Sequence, residues 1–311
     1  MTPDQLRAWL VSPRVADGAW SSILRQRAGL SARQPAELLN LRSPEVVLAL
    51  SREYVKAGAE FLSTNTFAAT SAALRSRQLD PPLPSAVELC RAGAQLARQA
   101  IGGKHEVLIA GVLGASGAIL AVQEVSAAEL RASYAESAAA LAEGGVNLVL
   151  LETFSELSEL LLAIEACREA TKLPIVACLS FDSGPQRTRT IAGLEAADAA
   201  RPLLDAGATI VGSNCGAGFA AALPALVALH AGSKGPVWLK PSAGVPELAD
   251  DRIVYTATPE DFARPVRQWI DAGAGVVGGC CGVGPEHVQR IAADLAKLRS
   301  GGRGRVRNPA T

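Results

Sequence analysis

Two kinds of apolar pattern alternate along the chain. Short apolar runs bounded by turn residues read as buried strands, and longer segments with apolar residues three and four apart read as helices. Arg14-Val15-Ala16, leading into Asp17-Gly18, is the first strand-like run. Glu60–Ser63 is the second and ends at Thr64-Asn65-Thr66; Glu106–Ala110 is the third and ends in the glycine-containing stretch Gly111–Gly117. Val146–Leu151 runs into Glu152-Thr153, Pro174–Leu179 into Ser180, and Thr209–Gly212 into Ser213-Asn214-Cys215. Pro236–Leu239 ends at Lys240-Pro241, and Ala274–Gly278 at Gly279-Cys280-Cys281-Gly282.

Between these runs the spacing predicts helices over about 43–57, 85–100, 126–144, 156–170, 193–206, 219–231, 259–272 and 285–298. Ser43-Pro44 is a good helix start, with serine as N-cap and proline in the first turn. Ser126-Ala127-Ala128-Glu129 is a capping box. Ala-Gly-Ala recurs at 57–59, 206–208 and 272–274, where glycine stops a helix before the next strand. A proline-rich break, Asp80–Pro84, separates the second strand region from the next helix. Residues 1–13 are expected to form a short helix outside the main fold. The Gly/Arg-rich stretch 300–311 is expected to be a disordered tail, leaving residues 1–299 as one domain.

Eight strands each followed by a helix imply parallel pairing and right-handed crossovers. This number of units in a chain of 311 residues predicts an α/β fold, a single (β/α)8 TIM barrel. An open doubly wound sheet is the alternative, but no GxGxxG follows the first strand, which weighs against a dinucleotide-binding version. In such a barrel the site lies at the C-terminal ends of the strands. Read in order, those ends carry Asp17, Thr64 and Asn65, Gly114, Glu152, Ser180, Asn214 and Cys215, Lys240, and Cys280 and Cys281. Three thiols and two carboxylates therefore converge on one mouth.

Composition removes several classes of function. The 30 basic and 30 acidic residues cancel, so nothing points to nucleic acid or to a membrane surface. No apolar stretch is long enough to span a bilayer, and the N-terminus has no signal-peptide pattern. Six cysteines in a chain of this length do not make a disulfide scaffold, and a cytoplasmic protein with reduced thiols is expected. Cys90, Cys167 and Cys178 lie in apolar or helical context and read as core. Aromatic residues make up only 4%, so the core must be aliphatic.

The adjacent pair Cys280-Cys281 between glycines is a poor packing solution. With Cys215 it offers three thiolates, and three protein ligands leave a tetrahedral zinc one open position, the catalytic arrangement. A vicinal disulfide and small buried cysteines are the competing readings. A zinc held by thiolates binds a further thiol as thiolate, because a coordinated thiol loses its proton. That chemistry favours alkylation of a substrate thiol over hydrolysis. Glu152 and Asp17 could hold a substrate ammonium, and backbone N–H groups of the glycine-containing loops a carboxylate.

Five segments together resemble one family: Asp17-Gly18-Ala19, Gly58–Phe67, Leu151-Glu152-Thr153, Gly212–Gly216 and Gly278–Gly282. Across roughly residues 14–298 the chain is similar to the homocysteine S-methyltransferases. The resemblance implies a zinc-dependent (β/α)8 barrel that methylates homocysteine to methionine. It implies Cys215, Cys280 and Cys281 as ligands of one Zn2+, Asp17 and Glu152 as contacts to the amino-acid part of homocysteine, and Thr64 and Asn65 as pocket lining. Gly18 and Asn214, inside the matching segments, complete the expected substrate contacts. No catalytic residue beyond the zinc site is expected.

One segment departs from the family: its members commonly continue the first motif with a Met-Gly-Thr-Glu-like run, where this chain has Trp20-Ser21-Ser22-Ile23. Trp20 reads either as packing beside a methyl donor or as filler under the loop. Lys240–Leu248 and Gly111–Gly114 look similar to the homocysteine module of the cobalamin-dependent members. No Asp-x-His-x-x-Gly corrinoid motif is present, nor a folate module, nor the long oligomerisation arm of the betaine-using members. The expectation is a methylcorrinoid, methylcobalamin, supplied by a separate corrinoid protein. Direct transfer from S-methylmethionine or S-adenosylmethionine, another thiol or selenol acceptor, and a non-catalytic zinc-binding partner subunit are the alternatives. Arg187 and Arg189 read as a solvated loop, His287 as a surface residue, and Lys240 as either functional or paired with an inner carboxylate.

Overall fold

A computed structural model describes residues 1–31, 34–77, 83–117, 125–249 and 252–301. Eight parallel strands form the central sheet: β1 (Arg14–Val15), β2 (Phe61–Ser63), β3 (Leu108–Gly114), β4 (Leu148–Phe154), β5 (Ile175–Leu179), β6 (Ile210–Cys215), β7 (Val237–Pro241) and β8 (Ala274–Val277). Their order is that of the chain, with β8 against β1. A parallel bridge between Ala16 and Phe61 joins β1 to β2 and closes the (β/α)8 barrel. A two-stranded antiparallel ribbon, Glu247–Ala249 with Arg252–Val254, lies between β7 and β8 in sequence and stands apart from the barrel sheet.

The strands are buried on both faces, which is why they read as continuous apolar runs without polar alternation. The period of two sorts them all the same. Phe61, Leu108, Ala110, Val112, Leu148, Leu150, Val176, Cys178, Ile210, Trp238 and Val276 pack together inside the barrel. Their neighbours in sequence, such as Ile109, Val149, Leu151, Ala177, Val211 and Leu239, pack outward against the helices. Cys90, Cys167 and Cys178 are fully buried, as their apolar context predicts.

The first helix, Pro3–Trp9, corrects the expectation that it lies outside the main fold. It starts at a Thr2/Gln5 capping box and sends Leu6 and Leu10 into the barrel interior. Trp9 meets Phe61 edge-on at 4.8 Å, and Phe61 meets Trp238 at 4.7 Å. The helix therefore stoppers the N-terminal end of the barrel. Fully burying a leucine contributes roughly 2 kcal/mol, enough to hold so short a helix in place.

The helix starts and stops divide in outcome. The Ser126 capping box is formed, and Gly58, Gly207 and Gly273 adopt left-handed φ of 98°, 107° and 105°. Ser43, by contrast, makes no side-chain cap, although Pro44 does open its helix. The segment predicted as one helix over 259–272 is two, Pro259–Ala263 and Val266–Asp271, divided at Pro265, whose ring and missing N–H break the ladder. The last helix, Pro285–Gly301, runs past the expected boundary at 299; residues 302–311, where the tail was expected, lie outside the described residues. Asp80, Pro81 and Pro82 of the proline-rich break also lie outside them. Among the described residues no helix is long and apolar enough to cross a membrane.

Candidate metal and substrate site

Sharp strand-to-loop turns bring the three cysteines of the sequence reading together. Cys215 ends β6 at a φ of 58°, a left-handed conformation that non-glycine residues seldom adopt. Cys280 and Cys281 follow β8 on a turn crowded enough to require its glycines: a Cβ on Gly279 would stand 2.2 Å from Val283 Cγ1, and one on Gly282 2.3 Å from Tyr255 Cγ. The sulfurs of Cys215, Cys280 and Cys281 lie within 4.8 Å of one another, and Cys280 and Cys281 are 3.9 Å apart. A tetrahedral zinc with bonds of about 2.3 Å spaces its sulfurs by about 3.8 Å, so the donor set fits a thiophilic metal.

The hydrogen bonds among the sulfurs favour one thiolate: Cys281 is drawn down by bonds from Cys215 and Cys280, with a further bond from Tyr255, while Cys280 is pushed up. Cys215 is pushed up through its bonds to those same two thiols. Asn214 points its amide nitrogen at Cys280 Sγ from 3.8 Å. Its side chain is fixed on the other side by Thr153, whose N–H donates to Asn214 Oδ1 at 2.7 Å and whose Oγ1 accepts from Nδ2 at 2.6 Å. Thr153, too, sits at a left-handed φ of 64°, next to Glu152. Such outer partners orient ligands and tune the metal.

A cavity of about 260 Å³ opens above the sulfurs. Gly18, Thr64, Asn65, Glu152, Lys240 and the three cysteines line it. Glu152 is the carboxylate directed at it. Burial raises its pKa to about 7, against the pull of Lys240 and with a further push from Cys280. Its Oε2 lies 3.8 Å from Lys240 Nζ, an ion-pair distance too long for a hydrogen bond, and has no hydrogen-bond partner. A buried unpartnered carboxylate oxygen is costly, and an incoming ammonium would satisfy it.

Asp17 is differently placed. It is fully buried and outside the cavity lining. Its Oδ2 accepts from Ser63 N–H at 2.6 Å and Trp20 Nε1 at 2.9 Å; its Oδ1 accepts from Ser63 Oγ at 2.8 Å and Lys240 Nζ at 2.9 Å. Four donors leave it little to offer a substrate, and it anchors Lys240 at the mouth. Lys240 is thus paired with inner carboxylates: burial disfavours its charge, but Asp17 and Glu152 outweigh burial and raise its pKa.

Thr64 and Asn65 are likewise engaged with protein. Thr64 Oγ1 accepts from Val112 N–H at 3.0 Å, and Asn65 Nδ2 donates outward to Ala36 O and Asn40 Oδ1. Gly18 has a packing reason to be glycine, since a Cβ there would fall 2.1 Å from Val283 O. Trp20 both lines the cavity and bonds Asp17, with its ring 5.8 Å from that of Tyr54. Of the quieter residues, His287 is buried, 6% exposed, where a surface residue was expected. It accepts from Gly284 N–H at 3.2 Å and meets Ala257 O at 3.0 Å, so it ties the loop after the cysteines to the segment before Pro259. Arg187 donates to Asp182 O and Arg189 pairs with Glu195; neither lines the cavity.

Sequence reasoning gave no role to Ser63, Thr153, Tyr255, Arg25 or Arg77. The first two lie inside the matching segments Gly58–Phe67 and Leu151–Thr153 and were within reach; the others stand in no recognisable pattern.

A parallel barrel with three converging thiols and a carboxylate-bearing cavity at the C-terminal ends of its strands defines a barrel whose thiols could together hold a metal ion. The profile of the homocysteine S-methyltransferases matches residues 14–295, and the chain belongs to that family. It is 28% identical over 276 residues to a methionine synthase of Mycobacterium leprae, covering 85% of this chain but 22% of that protein. A methionine synthase of Mycobacterium tuberculosis matches at 27% over 274 residues, again covering 22% of its length. The chain thus spans about a fifth of the length of these relatives. The fold is similar to that of the homocysteine methyltransferase MmuM from Escherichia coli in its metallated form, with a TM-score of 0.75 and 23% identity over 93% of this chain and 99% of that one.

Proposed function

We propose that the protein transfers a methyl group to the thiol of homocysteine, giving methionine, with Zn2+ held by Cys215, Cys280 and Cys281. The observation that carries this reading is three sulfurs within 4.8 Å of one another in the same cavity as a carboxylate oxygen without a hydrogen-bond partner. The sulfurs fit a metal, and the carboxylate fits the ammonium of an amino-acid thiol. When bound, zinc supplies an ionised thiol at neutral pH, where a free one with a pKa near 8.5 is mostly protonated. The metallated state of the similarly folded MmuM supports a metal here.

The chain's own residues orient the acceptor. Glu152 takes the ammonium, Lys240 opposes the burial that favours protonation of Glu152, and Asp17 fixes Lys240. Asn214 and Tyr255 steady the sulfurs. Gly18, Thr64 and Asn65 shape the wall. No general base is needed once the thiol is ionised, so the protein contributes orientation and exclusion of water. The donor is a methylcorrinoid, in keeping with the likeness of Lys240–Leu248 and Gly111–Gly114 to the homocysteine module of the cobalamin-dependent members.

The test is methionine formation by zinc-loaded protein from homocysteine, with methylcobalamin, S-methylmethionine, S-adenosylmethionine and betaine offered in parallel. Turnover with methylcobalamin is expected. Turnover with a sulfonium instead would replace the donor assignment. Bound zinc and bound homocysteine without turnover from any donor would favour a non-catalytic subunit.

A further inference from the structure

Two arginines in the cavity wall have no place in the scheme above. Arg25, on the helix Ser21–Ala28, and Arg77, just after the helix Ser71–Ser76, line the same cavity as the three cysteines and Glu152. Arg25 Nε is buried without a hydrogen-bond partner. Among the described residues neither guanidinium has an acidic partner; Asp17 pairs with Lys240 and Glu53 with Arg27. The helix bearing Arg25 opens at the cavity with Ser21 and Ser22 in the wall and no side-chain cap on its first N–H groups, which adds positive potential there. Of the described charged residues lining the cavity, Arg25, Arg77 and Lys240 are basic and Glu152 is acidic. Lys240 is answered by Asp17; among the described residues no carboxylate pairs with either arginine.

We propose that Arg25 and Arg77 select the methyl donor by charge, excluding cationic sulfonium and quaternary-ammonium donors and admitting a methylcorrinoid. The inference rests on the methyl-transfer reading and adds to it the residues that choose the donor. Sulfonium and betaine donors carry a positive charge into the site and lose it on reaction. Transfer from a methylcorrinoid runs the other way. A sulfur lone pair forms the S–CH3 bond as the Co–C bond breaks, the bonding pair stays on cobalt, cobalt goes from Co(III) to Co(I), and the corrinoid gains one negative charge. Fixed cations at the mouth oppose entry of the first kind of donor and stabilise the charge that develops on the second. At separations of about 10 Å and an effective dielectric constant near 20, each like-charge pair changes affinity by roughly tenfold.

The experiment uses the zinc-loaded full chain as wild type, Arg25→Gln/Arg77→Gln, and the charge-retaining Arg25→Lys/Arg77→Lys. The kcat/KM ratio of S-methylmethionine to methylcobalamin is measured for each. The Gln pair should raise that ratio at least about tenfold, chiefly through a lower KM for the sulfonium, while the Lys pair keeps the wild-type ratio. An unchanged ratio in the Gln pair, or a wild type that prefers the sulfonium, overturns the proposal. A second measurement does not depend on turnover. Calorimetry compares betaine with 3,3-dimethylbutyrate, which has the same shape and carboxylate but no cationic nitrogen. The wild type should bind the isostere that lacks the cationic nitrogen more tightly, and the Gln pair should lose that preference. Equal binding of the two by the wild type, or no binding of either, would refute charge selection. Absence of methionine from every donor, with the isostere preference intact, would instead count against the methyl-transfer reading alone.

Discussion

Lys240→Met tests the buried ion cluster at the mouth. Lys240 is 2% exposed and Asp17 fully buried, joined at 2.9 Å. Methionine fills much of the lysine's volume without its charge, so the packing loss is small. Asp17 keeps its donors from Ser63 and Trp20 but loses its countercharge. Breaking a buried pair from one side costs about 3–5 kcal/mol.

Glu152, already near pKa 7, adds little because it protonates readily. Urea denaturation of metal-free protein at pH 7 measures the loss, and Asp17→Asn/Lys240→Met should recover much of it. A single-variant cost below about 1 kcal/mol at pH 7 would show that the cluster does not hold the mouth as described.

Three further outcomes are expected. Leu6→Ala, in the stopper helix and fully buried, should cost about 2–5 kcal/mol in urea denaturation; a cost under about 1 kcal/mol would mean the helix leaves the barrel easily. Asn214→Ala removes the amide facing Cys280 Sγ and should weaken zinc binding about 10–100-fold in chelator competition while leaving one metal per chain at saturation. Homoserine, which has the ammonium and carboxylate of homocysteine but no thiol, should bind more weakly as pH falls through about 7, where Glu152 takes up its proton; Glu152→Gln should bind weakly and show no such pH dependence.

The barrel was legible because each strand is a short apolar run that gives way to turn or polar residues, and several helices begin or end on recognisable ones, such as the Ser126 capping box and Gly58, Gly207 and Gly273. The cysteine triad followed from strand ends alone. What escaped depends on partners distant in sequence. The apolar face of Pro3–Trp9 gives no sign that Phe61 and Trp238 await it. Asp17 follows β1 as read, but its carboxylate is turned away from the cavity and consumed by a lysine 223 positions away, a pairing no local pattern announces. His287 sits in a polar first turn and still is buried, because the loop from Ala257 folds over it. Tyr255 and Arg77 occupy irregular segments where periodicity has nothing to say.

The joint between β1 and β2 has a mechanical consequence. Along it Glu60 N–H donates to Val15 O and Asp17 N–H to Phe61 O; beyond these, side-chain carboxylates take over. Glu60 receives Val15 N–H at one end, and Asp17 receives Ser63 N–H at the other. A tube slit along one side twists far more easily than a closed one, and this barrel is nearly slit there, pinned by one carboxylate at each end. Its softest deformation should be a torsion that slides β1 past β2. That motion carries Asp17, and with it Lys240 and the wall beneath Glu152, so the stiffness of the whole cylinder and the readiness of its mouth to admit a second molecule are set at one joint.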